Sequence, residues 1–370
     1  METLYPNLIL DALRTVRYPG NGKNIVDLGM VMDDMRIDGN RVEFSLLFDK
    51  PTNPFIKSIV KAAETAILTH ISKEVDIKGN ISVKTVDTIP TAKPKEAPLP
   101  KVKNIIGVSS GKGGVGKSTV AANLAVALAR EGYKVGLLDA DIFGPSVPKM
   151  FGAEDAQLYM HDVDGHAKII PLQKYGVDIL SIGFLVNKSD AMVWRGAMAS
   201  RALNQLIEDG DWGELDYFLI DMPPGTSDIH LTLVQTLGIT GVVIVSTPQE
   251  VALADARRGI AMFTGEKVNV PVLGIVENMA WFTPEPHPDE RYYIFGNGGA
   301  QRLAEELNVE LLAQIPLVAA VGEHSDSGEP IALGDTMSAR AFVHLAHNVI
   351  DAVNRRNETL PPTIKVELKK

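Results

Sequence analysis

The segment Gly111-Lys112-Gly113-Gly114-Val115-Gly116-Lys117-Ser118 constrains this chain more than any other. It follows the apolar run Asn104–Ser109, which reads as a strand, and opens Ser118–Arg130, which has helical spacing. The glycines let backbone N–H groups turn inward toward an anion with no Cβ in the way. A lysine and a hydroxyl where the helix starts complete the strand–loop–helix pattern of a phosphate-binding loop. In such a loop Lys117 offers its ammonium to the β- and γ-phosphates, and the Ser118 hydroxyl can ligate Mg²⁺. The helix N-terminus adds its positive dipole end. Gly111 through Thr119 is therefore the expected phosphate cradle.

The rest of the chain beyond Lys103 fits that motif. Val135–Asp139, Tyr217–Asp221, Val242–Ser246 and Val272–Val276 are short runs rich in Ile, Val and Leu, with helical patterns such as Ser200–Glu208 and Ala252–Phe263 between them. Near-continuous apolar strands alternating with helices imply a parallel sheet covered on both faces. The predicted architecture is α/β: a P-loop NTPase with a mostly parallel sheet covered by helices on both faces, preceded by a small α+β domain. In that smaller part Leu4–Val16 and Pro54–Ile71 read as helices, and Leu28–Ile37, Arg41–Phe48 and Ile81–Val86 as strands. Between the two parts, Pro90, Pro94, Pro98 and Pro100 alternate with Lys93, Lys95, Lys101 and Lys103, the composition of a semi-rigid linker. The expected divisions are 1–88, a linker at 89–103, the ATPase domain at 104–358 and a tail at 359–370. A last helical stripe of Phe342, Leu345, Ala346, Val349, Ile350 and Val353 reads as core packing, since its outer face has little positive charge for a membrane.

A net charge of −10 disfavours non-specific binding to nucleic acid or anionic membrane. With 0 cysteines, disulfides, thiolate catalysis and Cys-ligated iron–sulfur clusters are excluded for the chain acting alone. The start, Met1–Asp11, has no basic stretch leading into an apolar run, and no segment approaches the roughly 20 apolar residues of a membrane span. The expectation is a soluble, cytoplasmic protein.

Two acidic elements stand where a phosphoryl-transfer site needs them. The strand at Val135 ends in Asp139-Ala140-Asp141, and that at Tyr217 ends in Asp221-Met222-Pro223-Pro224-Gly225-Thr226. Carboxyl ends of parallel strands are where open α/β sheets bind ligands. Asp141 is the candidate to position or activate the attacking water, with Asp139 closer to the metal shell. Asp221 resembles the Walker B acid that holds Mg²⁺ through water, and Gly225 offers a backbone N–H to the γ-phosphate. The competing reading of a strand-end Asp is a helix cap.

Lys112 makes the loop resemble the deviant Walker A of the MinD/ParA/nitrogenase-iron-protein class. That resemblance implies ATP, Mg²⁺ and a homodimer in which the first lysine acts in trans on its partner's nucleotide. Asn278, in Val276-Glu277-Asn278-Met279, looks like the residue that reads the adenine edge in this class; a capping Asn is the alternative. More widely, Ser109–Thr119, Asp139–Ser146, Val193-Trp194-Arg195-Gly196, Asp221–Ile229, Thr247-Pro248-Gln249, Val276–Met279 and Ile294–Gly299 resemble the Mrp/ApbC family of iron–sulfur cluster carriers, over Lys101–Ile350. Leu4–Val86 resembles the MIP18-type domain often fused in front of it.

The family resemblance implies ATP hydrolysis and a [4Fe–4S] cluster held between two subunits by a Cys-x-x-Cys pair and passed to apo client proteins. Here the interval Ala280–Tyr293 has no cysteine, nor has Pro51-Thr52-Asn53-Pro54. His287 with Asp289 or Glu285 is a weak metal-site candidate against a solvated loop. Trp281, Phe282, Tyr292 and Tyr293 could pack a dimer seam or simply the loop. Two other functions compete, a MinD/ParA-like ATP-dependent positioning switch and a small-molecule phosphotransferase; no acceptor site or lid for the latter is legible.

Overall fold

The computed structural model describes residues 4–19, 22–48, 50, 52–85, 98–163, 165–185, 196–284, 287 and 290–366. The chain divides into two compact units, Met1–Glu96 and Ala97–Lys370.

The first unit runs α1 (Pro6–Leu13), β1 (Arg36–Asp38), β2 (Arg41–Phe48), α2 (Ile56–His70) and β3 (Ile81–Thr85). Its sheet has the order β1-β2-β3, with β1 antiparallel and β3 parallel to β2. A parallel neighbour needs a crossover, and α2 supplies it. Its core holds Ile9, Leu13, Leu46, Phe48 and Ile67. The strand expected over Leu28–Ile37 is mostly absent. Gly29 turns the chain at φ +67°, and the Asp34 carboxylate takes the Ser45 N–H (2.9 Å) that a longer strand would have paired.

The second unit begins β4 (Val102–Ser110), α3 (Lys117–Arg130), β5 (Val135–Asp139), α4 (Val147–Met150), β6 (Tyr159–Val163), β7 (His166–Ile170), β8 (Leu172–Lys174) and β9 (Val177–Ser181). It continues with α5 (Gly196–Glu208), β10 (Leu215–Asp221), α6 (Asp228–Thr236), β11 (Gly241–Ser246), α7 (Glu250–Thr264) and β12 (Val272–Phe282). Then come α8 (Gly299–Leu307), β13 (Leu311–Leu317), α9 (Ala319–Ser327) and α10 (Met337–Thr359). The main sheet has the order β13-β12-β11-β4-β10-β5-β9-β8, parallel throughout except for the edge strand β8.

Alternation along the strands builds two cores. Ile106, Val108, Leu137 and Leu219 face α3 and α10; their neighbours Ile105, Leu138, Phe218 and Ile220 face α5, α6, α7 and α8. That is why these strands read as unbroken apolar runs. The α10 stripe lies in the first core, with Phe342, Leu345, Ala346, Val349 and Val353 all at 0% exposure. Each large apolar side chain buried there stabilises the fold by about 1.5–3 kcal/mol. No helix among the described residues is long and apolar enough to cross a membrane.

Candidate nucleotide-binding site

Because the strands run parallel, the loops that follow them gather at one edge of the sheet. The glycine-rich loop joins β4 to α3 there. Gly114 and Gly116 take left-handed φ values of +82° and +80°, which only glycine adopts without cost. Gly111 is needed for a different reason: a Cβ there would lie 2.1 Å from the Asp255 carbonyl carbon, so α7 could not pack under the loop. A cavity of about 230 Å³ is lined by Lys112, Gly113, Gly114, Lys117, Ser118 and Asp141, among others.

Lys117 is 6% exposed and points into a group of carboxylates. Its ammonium donates to Asp221 Oδ1 in a very short contact and to Ser118 Oγ at 3.1 Å, with Asp141 Oδ2 at 3.8 Å. The acids are placed by sheet register. Asp221 of β10 is level with Asp139 of β5, which is level with Ser181 of β9. Asp139 Oδ1 accepts from the Asp141 N–H (3.1 Å); Oδ2 accepts from the Val147 N–H (3.2 Å) and the Ser181 hydroxyl (2.9 Å). Full burial, with the Asp221 charge beside it, pushes the Asp139 carboxyl up to about 8. Burial also raises that of Asp141, against the pull of Lys117.

Both Asp139 oxygens are thus engaged, which leaves it bracing the loop to α4 behind Asp221. The unengaged oxygen is Asp221 Oδ2, buried without a hydrogen bond among the described residues. A buried, orphaned carboxylate oxygen on the acid that Lys117 holds suits a hydrated Mg²⁺. The Gly225 N–H, expected to face a phosphate, instead donates to the Ser110 carbonyl at 2.8 Å. That bond has to open before the amide can meet a ligand. The Lys112 side chain forms no ion pair or hydrogen bond among the described residues, while its carbonyl accepts from Ser110 Oγ at 2.9 Å.

A second cavity, of about 590 Å³, adjoins the loop and is mainly apolar; Met279, Phe282, Ile294, Leu317 and Val318 line it with Gly116, Thr119 and Asn278. Asn278 does not present its whole amide to this space, because Nδ2 donates to the Val115 carbonyl at 2.9 Å. Its Oδ1 alone remains without a partner among the described residues.

Ser181 and the pair Ser227–His230 were not singled out from sequence. Nothing local marks them; a strand-end serine and a helix-start serine are the only signals. His230 Nδ1 accepts from the Ser227 N–H at 3.2 Å, closing the loop from Asp221 onto α6. Burial pushes the imidazole down to about 4 from an ordinary 6.5. As pH falls below 6.5, the unfolded chain takes up a proton that the folded one refuses until about 4. This stability is therefore complete above pH 6.5 and lost on acidification across that window, by about 3 kcal/mol in all. Urea unfolding at pH 7 and pH 5, followed by tryptophan emission, measures it; Trp194, Trp212 and Trp281 all belong to the second unit. Because the buried Asp139 titrates in parent and variant alike, the test is the difference between them. His230→Gln is expected to gain stability relative to the parent on going from pH 7 to pH 5, and a variant–parent difference that does not change with pH would refute this role.

Beyond β12 the loop closes on itself. Phe282 and Tyr292 exchange two backbone hydrogen bonds of 2.8 Å, and the Arg291 guanidinium lies 4.3 Å from the Trp281 ring centre. His287 Nδ1 is 3.6 Å from Glu290 Oε1; Glu285 and Asp289 lie outside the described residues, as do Val193, Trp194 and Arg195. Among the described residues no three His, Asp or Glu side chains converge as a metal site.

A left-handed glycine turn between a buried strand and a helix, with a lysine at its base among strand-end acids, defines a P-loop nucleotide-binding protein. Comparison with known proteins narrows the class. Residues 101–350 match the ParA-type family described as NUBPL iron-transfer P-loop NTPases, and residues 7–78 match iron–sulfur cluster assembly proteins. An iron–sulfur cluster carrier protein of Synechocystis is 41% identical over 355 residues, covering 95% of this chain and 98% of the relative. One from Helicobacter pylori is 39% identical over 348 residues, covering 92% and 91%. Among solved structures, a nucleotide-binding protein of Archaeoglobus fulgidus in complex with ADP is 41% identical with a TM-score of 0.56, covering 64% of this chain and 91% of that one. The chain belongs to the Mrp/ApbC family of iron–sulfur cluster carrier proteins, P-loop NTPases of the ParA type preceded by an iron–sulfur cluster assembly domain.

Proposed function

We propose that this chain is a Mg²⁺-dependent ATPase that works as a homodimer in the assembly or transfer of iron–sulfur clusters, without ligating a cluster through its own side chains. The observation that carries the ATPase reading is Lys117, buried against Asp221 and Asp141 beside the unpartnered Asp221 Oδ2. Triphosphate entering the loop would draw the Lys117 ammonium from Asp221 onto the β- and γ-phosphates. Ser118 and the freed Asp221 would then hold Mg²⁺, directly and through water, with Asp139 behind them. The ion, when bound, neutralises charge on the transferred phosphoryl group. Asp141 is placed to orient the water that attacks the γ-phosphorus, with ADP leaving and phosphate formed. The adenine would occupy the apolar cavity, where Asn278 Oδ1 can accept from its amino group.

The iron–sulfur role rests on the family. Cluster iron prefers thiolates, and this chain supplies none. A cluster handled by the dimer is therefore cargo whose thiolates come from an apo client protein. Neither nucleic acid nor membrane enters this reading. Phosphate release measured with Mg²⁺ and with EDTA tests the enzyme; iron and sulfide per dimer after anaerobic reconstitution tests the rest. Mg²⁺-dependent turnover with no retained iron is expected. Stoichiometric iron with a cluster absorption band would overturn the cluster-free assignment and leave the ATPase standing.

A further inference from the structure

Asn278 sits where base recognition alone does not account for it. The β12–β13 ladder pairs Asn278 with Ile315, then skips to Phe282 opposite Leu317. Bulges of this kind re-aim side chains, and they concentrate beside functional sites. Inside this one, Met279 holds φ +55°, a left-handed conformation that residues with a Cβ rarely adopt. Such strain persists only where the surroundings fix it. The result is that Asn278 turns toward the phosphate loop and donates Nδ2 to the Val115 carbonyl at 2.9 Å. A Cβ on Gly116 would lie 2.2 Å from that nitrogen, so the amide fills the space the glycine leaves open. Gly116, in turn, is the left-handed residue from which α3 starts, and with Thr119 it borders both the phosphate cavity and the base cavity.

We infer that Asn278 is a positioning residue that braces the phosphate loop from the wall of the base cavity. By holding the Val115 carbonyl it fixes the turn at Gly116, and so the start of α3 and the place of Lys117. This rests on the nucleotide reading above and adds to it. A residue that only reads the base matters to ligands that have one; a brace matters equally to a ligand made of phosphate alone.

The test uses the full chain, with Mg²⁺·ATP and Mg²⁺·tripolyphosphate as the two probes, by calorimetry at a temperature where each variant is folded. Asn278→Asp keeps the shape but turns the donor into an acceptor facing Val115; Asn278→Ala is the second variant should the buried carboxylate prevent folding. Both are expected to weaken tripolyphosphate about tenfold, the scale of one buried carbonyl left unpaired, and ATP by at least as much. The kcat is expected to fall further than KM rises, because the lysine is displaced as well. Loss of ATP affinity with tripolyphosphate binding unchanged would overturn the brace and leave base reading. A lowered unfolding midpoint with both affinities unchanged would overturn it too, as a packing role only. A parent protein that binds neither probe would defeat the nucleotide reading itself, a result distinct from either.

Discussion

Lys117→Met is expected to reduce ATP hydrolysis by on the order of 10²–10³-fold and, in the same variant, to destabilise the larger unit by about 3–5 kcal/mol. The second effect is unusual for a phosphate-binding lysine and follows from its resting place. Lys117 is buried between Asp221 and Asp141, with Asp139 behind. Removing that cation leaves buried carboxylates that must either stay charged without a partner or take up protons. Adding Asp221→Asn to Lys117→Met is expected to recover most of the stability and none of the turnover, since the acid needing a counter-ion is gone. Phosphate release and urea midpoints on the two single variants and the double one measure both quantities. If Lys117→Met proves as stable as the parent, the buried pair contributes nothing to the fold.

Lys112→Ala is expected to behave in the opposite way: stability and monomer nucleotide affinity close to the parent, turnover down by about 10³-fold, and ATP-dependent dimerisation lost. The contrast comes from position in one loop. Five residues before the buried lysine, Lys112 has no carboxylate to neutralise and no partner of its own among the described residues, so its removal leaves nothing stranded. In the proposed dimer it would reach the facing subunit's phosphates, where a cation in trans acts on charge developing in the transition state. Sedimentation velocity with a slowly hydrolysed ATP analogue, beside the turnover assay, measures this. A parental rate in Lys112→Ala would sink the trans role.

Much of this was legible in the sequence, for a physical reason. Strands buried on both faces show as apolar runs, and the glycines at 111, 114 and 116 are needed one by one, so spacing alone locates the loop. Other elements left no such trace. The β6–β7 hairpin is mostly exposed, with Ile169 its one buried residue among those described, and His161, Asp162 and His166 mask any alternation of apolar residues. Leu28–Ile37 reads as a strand from its apolar residues, yet a side chain, Asp34, takes the hydrogen bond its backbone would have made. The acids at 139, 141 and 221 could be named from their strand ends. That Lys117 rests on Asp221, that both Asp139 oxygens are engaged, and that Gly225 is bonded to Ser110 depend on register between distant strands, which no local pattern encodes. Asn278 shows the same limit. Its type suggested base reading; its place at a bulge gives it a second neighbour.

The row Asp221–Asp139–Ser181 turns the sheet into a ruler. These groups hang from adjacent parallel strands at one level, so their separation is set by the strand spacing of about 4.8 Å, which a folded sheet can scarcely alter. A loop-borne acid can follow its ligand; a strand-borne one makes the ligand conform. Change in what this edge accommodates, in evolution or by design, would therefore fall to the loops after β5, β10 and β12, while the row itself stays at fixed gauge.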